Sequence, residues 1–270
     1  MSSAAEPHPL DDEAARASLP STAFDRAWIA GHLAEERRRA SLLGEIREAI
    51  FGAQDGLVST LAVASTVAGA SADRFPVLIA GIASGLAGVF SMAAGEYMSS
   101  KSQREIFEAQ IVGERDEVAE RPGEAEAEMA FMLEEDGLPG DQARAVAGVL
   151  SRHPDVLLKT MVEKELGLAG EHAEGSPAQG ALVMGISFGV GAVVPILPYL
   201  FLPVQAGIVG SVVATAAVLF AIGVLKSRWT RRGWLRSGVE ILALGAFAGI
   251  AGYFFGTLLP ILLGAAGAAS

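Results

Sequence analysis

Apolar residues run along this chain in five long stretches, about 50–71, 75–98, 179–201, 205–225 and 238–264. Each is close to the ~20 residues that a helix needs to cross an ~30 Å hydrocarbon core. The breaks carry turn chemistry: Ser71-Ala72-Asp73-Arg74 is a short polar turn, and Leu202-Pro203-Val204 is a tight link with a helix breaker. Ahead of the first stretch the pattern changes. From Phe24 to Ile50, Trp28, Ile29, Leu33, Leu43, Ile46 and Ile50 alternate with Glu35, Arg38 and Arg39 at helical spacing. This predicts an amphipathic helix over 24–49. It either lies at the membrane surface and leads into the first span, or packs on the acidic block as an ordinary cytosolic helix. Residues 1–23, rich in Ala, Ser, Pro and Asp, predict a disordered tail. The division that follows is 50–100 for spans one and two, 101–174 for a charged helical insert, and 175–270 for spans three to five. The expected class is all-α and polytopic.

Charge sharpens the picture through its placement. The 270-residue chain is 51% hydrophobic and 19% charged, below the ~25% charge of an ordinary soluble domain. No Asp, Glu, Lys or Arg falls between Glu174 and Lys226, and none after Glu240. A purely soluble enzyme and a one-span anchored protein are both excluded. Of the formal net charge of −11, most belongs to residues 101–174, which hold 18 Asp and Glu against 8 Lys and Arg. An acidic surface argues against nucleic acid, whose binding depends on Lys and Arg neutralising phosphates, and suits cations. With no cysteine, disulfides, thiolate metal sites and cysteine nucleophiles drop out. A metal site must then use carboxylate, imidazole, thioether or carbonyl ligands, which favours harder cations. Residues 1–20 lack the apolar core expected of a cleavable signal peptide.

Orientation follows from Lys and Arg in the links. Lys226, Arg228, Arg231, Arg232 and Arg236 join spans four and five; Lys101 and Arg104 follow span two; Arg37, Arg38, Arg39 and Arg47 precede span one. The two opposite links hold only Arg74. Five spans put every basic segment on one side, so the N-terminus and the acidic block are expected in the cytoplasm, with the chain in a membrane such as the bacterial inner membrane. Gly81, Gly85 and Gly88 in span two, Gly185 and Gly189 in span three, and Gly245, Gly249, Gly252 and Gly256 in span five let helices approach closely. They predict close packing within one chain or a homodimer seam.

Polar groups inside the spans are the candidate chemistry. If the first span began after Asp55, barely enough residues would remain to cross. Starting it at Ile50 puts Asp55 inside the membrane, where a carboxylate is costly and marks a pathway or a paired partner; an interfacial helix cap is the bland alternative. Met92 and Glu96, four apart in Ser91-Met-Ala-Ala-Gly-Glu, share a helix face. A thioether and two carboxylates together would suit Fe²⁺, Mn²⁺ or Co²⁺ better than Mg²⁺, which keeps to oxygen and holds its water. In the insert, Glu105 and Glu108, then Glu114 and Glu117, are three apart, and Glu124, Glu126 and Glu128 follow the break at Pro122-Gly123. Met161 and Glu165 are four apart. Carboxylates so spaced on neighbouring helices can converge on metal, or can simply form solvated faces. No Glu-x-x-His pair supports a ferritin-like di-iron centre, and His153 and His172 stand alone.

Three stretches together resemble the vacuolar iron transporter family. They are Glu45-Ile-Arg-Glu-Ala-Ile-Phe-Gly-Ala-Gln-Asp-Gly-Leu-Val-Ser, Ser91-Met-Ala-Ala-Gly-Glu-Tyr-Met-Ser with Lys101-Ser-Gln-Arg-Glu, and Met161-Val-Glu-Lys-Glu-Leu-Gly-Leu. The likeness covers roughly 40–265 and fits a bacterial member with a cytoplasmic metal-binding domain. It implies a homodimer of five-span subunits that exports Fe²⁺ or related divalent ions from the cytosol against inward-moving protons. It further implies that Asp55 and Met92 line the path, and that the insert is a three-helix domain gathering metal through Glu114, Glu117, Glu128, Met161 and Glu165. Two positions depart from the family pattern. Ala125 stands where a carboxylate three residues before Glu128 is expected, so that ligand is shifted or lost, and Val162 replaces the second Met of a Met-Met pair.

The expectation is therefore a transporter of Fe²⁺ and of Mn²⁺ or Co²⁺, not an enzyme, with no permanent cofactor and with protons, lipid and metal as partners. A membrane-anchored metal buffer or sensor is the rival, and an intramembrane carboxylate such as Asp55 separates the two, because a scaffold has no use for one. An organic-cation carrier would need an aromatic-lined pocket, and only 7% of residues are aromatic. No Gly-x-x-x-x-Gly-Lys-Ser/Thr loop is available to use ATP.

Overall fold

The computed structural model describes residues 24–165, 176–230, 232–243, 245–247, 250, 254 and 258. Among them every regular element is a helix. In chain order these are α1 (Arg26–Ala70), α2 (Arg74–Glu120), α3 (Pro122–Glu135), α4 (Gly140–Leu150), α5 (Pro154–Glu165), α6 (Pro177–Phe201) and α7 (Val204–Thr230). Residues 234–243 are again helical. Four helices, α1, α2, α6 and α7, are long and apolar enough to cross a membrane. The fifth expected span, 238–264, is described only in part. Its Gly249, Gly252 and Gly256, the tail 1–23, Arg231 and His172 lie outside the described residues.

The chain divides into two units, 1–43 and 44–270. In the first, Trp28 lies with its ring against those of Phe24 and His32, and Arg39 pairs with Glu35. No proline interrupts 26–70, and the amphipathic stretch and the first span form one continuous helix of 45 residues. α2 behaves likewise. Its 47 residues reach about 70 Å at ~1.5 Å per residue, so one helix is both a span and a wall of the acidic insert. Asp73 caps its start by accepting from the Phe75 N–H at 3.0 Å. Pro122 ends it, having no N–H to continue the ladder.

The apolar helices pack through small residues. α1 crosses α6 at near backbone contact: a Cβ on Gly52 would stand 2.6 Å from the Met184 carbonyl oxygen, one on Gly56 would overlap Phe188, and one on Gly191 would overlap Ala53. α2 lies along α6, with Gly81 facing Ile196, Gly85 facing Ala192, and Gly185 and Gly189 facing Val89. The stripes of spans two and three are thus used inside one chain. Leu57, Leu219 and Ile241 join α1, α7 and the 234–243 helix. α6 carries Pro195 and Pro198 internally, and Ser211 on α7 donates to the Pro195 carbonyl at 2.7 Å.

The insert has its own core. Val118 of α2, Ala125, Met129 and Ala130 of α3, Ala147 of α4, and Leu157 and Met161 of α5 are buried against one another. Three short helices are therefore fastened to the polar half of α2, with Gly137 at φ 101° making the turn from α3 to α4.

Candidate metal centres

The break at Arg121-Pro122 folds α3 back beside the end of α2, and carboxylates converge there. Glu117, Glu124 and Glu128 each offer an oxygen within 4.8 Å of the others, the one such trio of Asp, Glu or His among the described residues. Glu124 and Glu128 are four apart and share a face of α3; Glu117 comes from the last turn of α2. Glu128 is within hydrogen-bonding reach of Glu117, and Glu114 of Glu165 on α5. Burial first, then the neighbouring charges of Glu165 and Glu117, push the Glu114 carboxyl above the usual carboxylate range. Burial first, then Glu117, push Glu128 the same way. One Glu114 oxygen, Oε2, is buried with no donor to it. Two carboxylates in contact share a proton or repel, and a dication among them would replace that proton and satisfy several oxygens at once.

The other expected ligands fall differently. Ala125 is 0% exposed and fills the core, while Glu124, one residue earlier, supplies the trio's third oxygen. Met161 is fully buried in the same core, and Glu165, one turn on, reaches Glu114. Glu105 and Glu108 lie on the projecting part of α2, paired with Lys101 at 3.7 Å and Arg104 at 2.9 Å. Glu126 faces Gly148 of α4.

Within the membrane helices, Asp55 lies between Gly52 and Gly56, the two glycines that hold α1 against α6. It is half-buried, and its carbonyl accepts from Ser59 Oγ at 2.6 Å. Met92 is also half-buried. Glu96, one turn along α2, accepts from Ser100 Oγ at 2.6 Å. Asp55 and Glu96 belong to no trio of acidic or imidazole groups close enough to share an ion among the described residues. Two carboxylates not singled out in the sequence stand nearby on α1. Glu48 lies in the electrostatic field of Glu96 and has a buried, unpartnered Oε2. Glu45 accepts from Gln179 Nε2 of α6 at 2.5 Å. The signal for Glu48 was present: it is seven residues before Asp55, two turns along the same helix face.

Comparison with known proteins adds a family match and three relatives. The model of the VIT family matches residues 46–257. Vacuolar iron transporter 1 of Oryza sativa subsp. japonica is 33% identical over 237 residues, 87% of this chain and 93% of that protein. Vacuolar iron transporter 1 of Arabidopsis thaliana is 34% identical over 212 residues, covering 78% and 84% respectively. The vacuolar iron transporter of Plasmodium falciparum (isolate 3D7) is 26% identical over 223 residues, covering 79% and 82%.

Proposed function

Because this chain belongs to the VIT family, whose members are transporters and not enzymes, we propose that it moves Fe²⁺, and with it Mn²⁺ or Co²⁺, out of the cytosol in exchange for protons. The observation that carries this reading is Asp55: a carboxylate within an apolar helix, fixed between two backbone-close glycine contacts. Its charge offsets part of the dehydration of a divalent ion, and intramembrane carboxylates mark such paths. Met92 adds a soft ligand that prefers transition metals to Mg²⁺. Glu96 lies on α2 between its apolar span and the acidic helices, with Glu48 of α1 in its electrostatic field, where the pair can receive an ion from those helices.

Exporting a dication from a negative cytosol costs about 4.6 kcal/mol at 100 mV, at ~2.3 kcal/mol per charge. Inward protons are the available source, and carboxylates that release metal on protonation are the carriers. The acidic helices concentrate metal through Glu114, Glu117, Glu124, Glu128 and Glu165, and Met161, the thioether the family resemblance implies, lies buried in the core one turn before Glu165. The chain is a five-span homodimer with its basic links and acidic helices on the cytoplasmic side of a bacterial inner membrane. Asp55→Ala tests the path: flux is lost while the purified protein keeps its wild-type size and helix content. Wild-type flux through a well-folded Asp55→Ala protein refutes the assignment.

A further inference from the structure

Arg121 sits at the break between α2 and α3 and reaches into the carboxylate trio. Its Nη1 lies 2.8 Å from Glu124 Oε2 and its Nη2 3.1 Å from Glu117 Oε2. Glu128, the third member, acts on the same guanidinium. Two of the three carboxylates that could meet around one ion are therefore already held by a cation belonging to the chain. The side chain is 55% exposed, and α3 starts at Pro122 without a side-chain cap from Arg121. It can leave the trio without undoing a helix.

We propose that Arg121 is a tethered competitor of the metal, occupying the Glu117–Glu124–Glu128 trio when it is empty and swinging into solvent when a dication binds. This rests on the reading of the trio as a metal site. A guanidinium and an ion draw on the same carboxylates. The guanidinium is a planar fork of single charge that bonds from outside, whereas a dication sits among the oxygens with twice the charge. The ion wins once its concentration is sufficient, and the arginine closes behind it when it departs. Exposed pairs of this kind are individually weak, so the brake amounts to a three- to tenfold loss of affinity, about what one or two such contacts supply. A domain that hands metal on to a path gains from such a brake, since tight binding would slow release.

The test counts free and bound Mn²⁺ by electron paramagnetic resonance on the full-length protein in detergent at neutral pH. Arg121→Gln is expected to bind Mn²⁺ about three- to tenfold more tightly than wild type, and Arg121→Lys, which keeps the charge and loses the fork, to fall between. Should Arg121→Gln lose helix content by circular dichroism, Arg121→Lys decides alone: tighter binding supports the competitor, equal or weaker binding overturns it. Wild-type binding with unchanged or weaker binding in a folded Arg121→Gln protein also overturns it, while leaving the metal site intact. Binding that is absent, or that Glu117→Gln and Glu128→Gln leave unmoved, removes the site and the competitor together.

Discussion

The crossing of α1 over α6 sets the position of Asp55, and it can be forced apart from one residue. A Cβ on Gly56 would meet the Phe188 carbonyl carbon at 2.9 Å and the Ala192 nitrogen at 3.1 Å. Both are backbone atoms, so neither can swing aside as a side-chain tip would. Relaxed contact lies near ~3.5–4.0 Å, and a gap of ~0.5–1 Å already forfeits a quarter to a half of each dispersion contact along the seam. Overpacking of this kind costs ~1–3 kcal/mol. Gly56→Val is therefore expected to lower the thermal midpoint of the protein in detergent, followed by far-ultraviolet circular dichroism, and to reduce metal flux by moving Asp55. Gly113→Ala is the control: nothing lies within 4 Å of a Cβ there, and replacing a mid-helix glycine contributes up to ~1 kcal/mol. Equal melting of Gly56→Val and wild type would refute the close crossing.

Three further outcomes are expected. Met92→Leu keeps side-chain volume and loses the thioether, so it should narrow the preference for Fe²⁺ over Mg²⁺ in competition flux assays; unchanged selectivity would make Met92 a packing residue. Removing residues 106–170 should leave membrane insertion intact, with transport persisting at high metal and failing at low; full activity at low metal would reduce the acidic helices to a spacer. Without metal, Glu114 and Glu128 carry raised folded-state pKa values, so their contribution to stability is fully present below the unfolded value of about 4.5. It is lost as pH rises through the folded values. The insert should melt at higher temperature at mildly acidic pH than at neutral pH, and Mn²⁺ at neutral pH should erase the difference; a metal-free midpoint that rises towards neutral pH would contradict the clustering.

Much of the fold was legible because two signals are strong in one dimension. Apolar runs bounded by Asp73 and by Pro203 gave the turns where α2 and α7 begin, and glycines at three- and four-residue spacing marked the α2–α6 seam. The near backbone contact at Gly52, Gly56 and Gly191 was missed although Gly52 and Gly56 are four apart, because that pair flanks the polar Gln54 and Asp55 and its partner glycine lies far along the chain on α6, where only the crossing brings it close. The continuity of α1 and of α2 was hidden for a related reason: polarity changes sharply near residues 50 and 98, but nothing in the backbone stops there. In the candidate site, spacing alone grouped all the glutamates of the insert alike. It could not tell Glu105 and Glu108, paired along α2, from Glu117, Glu124 and Glu128, which meet because the chain reverses at Pro122. Nor could spacing show that Ala125 turns into the core while Glu124 turns outward.

The proposed exchange moves metal and protons in opposite directions through this protein. Purified protein in proton-tight vesicles, given Fe²⁺ outside under anaerobic conditions with an acidic interior, tests it directly. With proton exchange, the imposed gradient accelerates Fe²⁺ entry, the interior becomes less acidic as metal arrives, and Asp55→Ala abolishes both. Fe²⁺ entry at the same rate with and without the gradient, and with no change of internal pH, would contradict it.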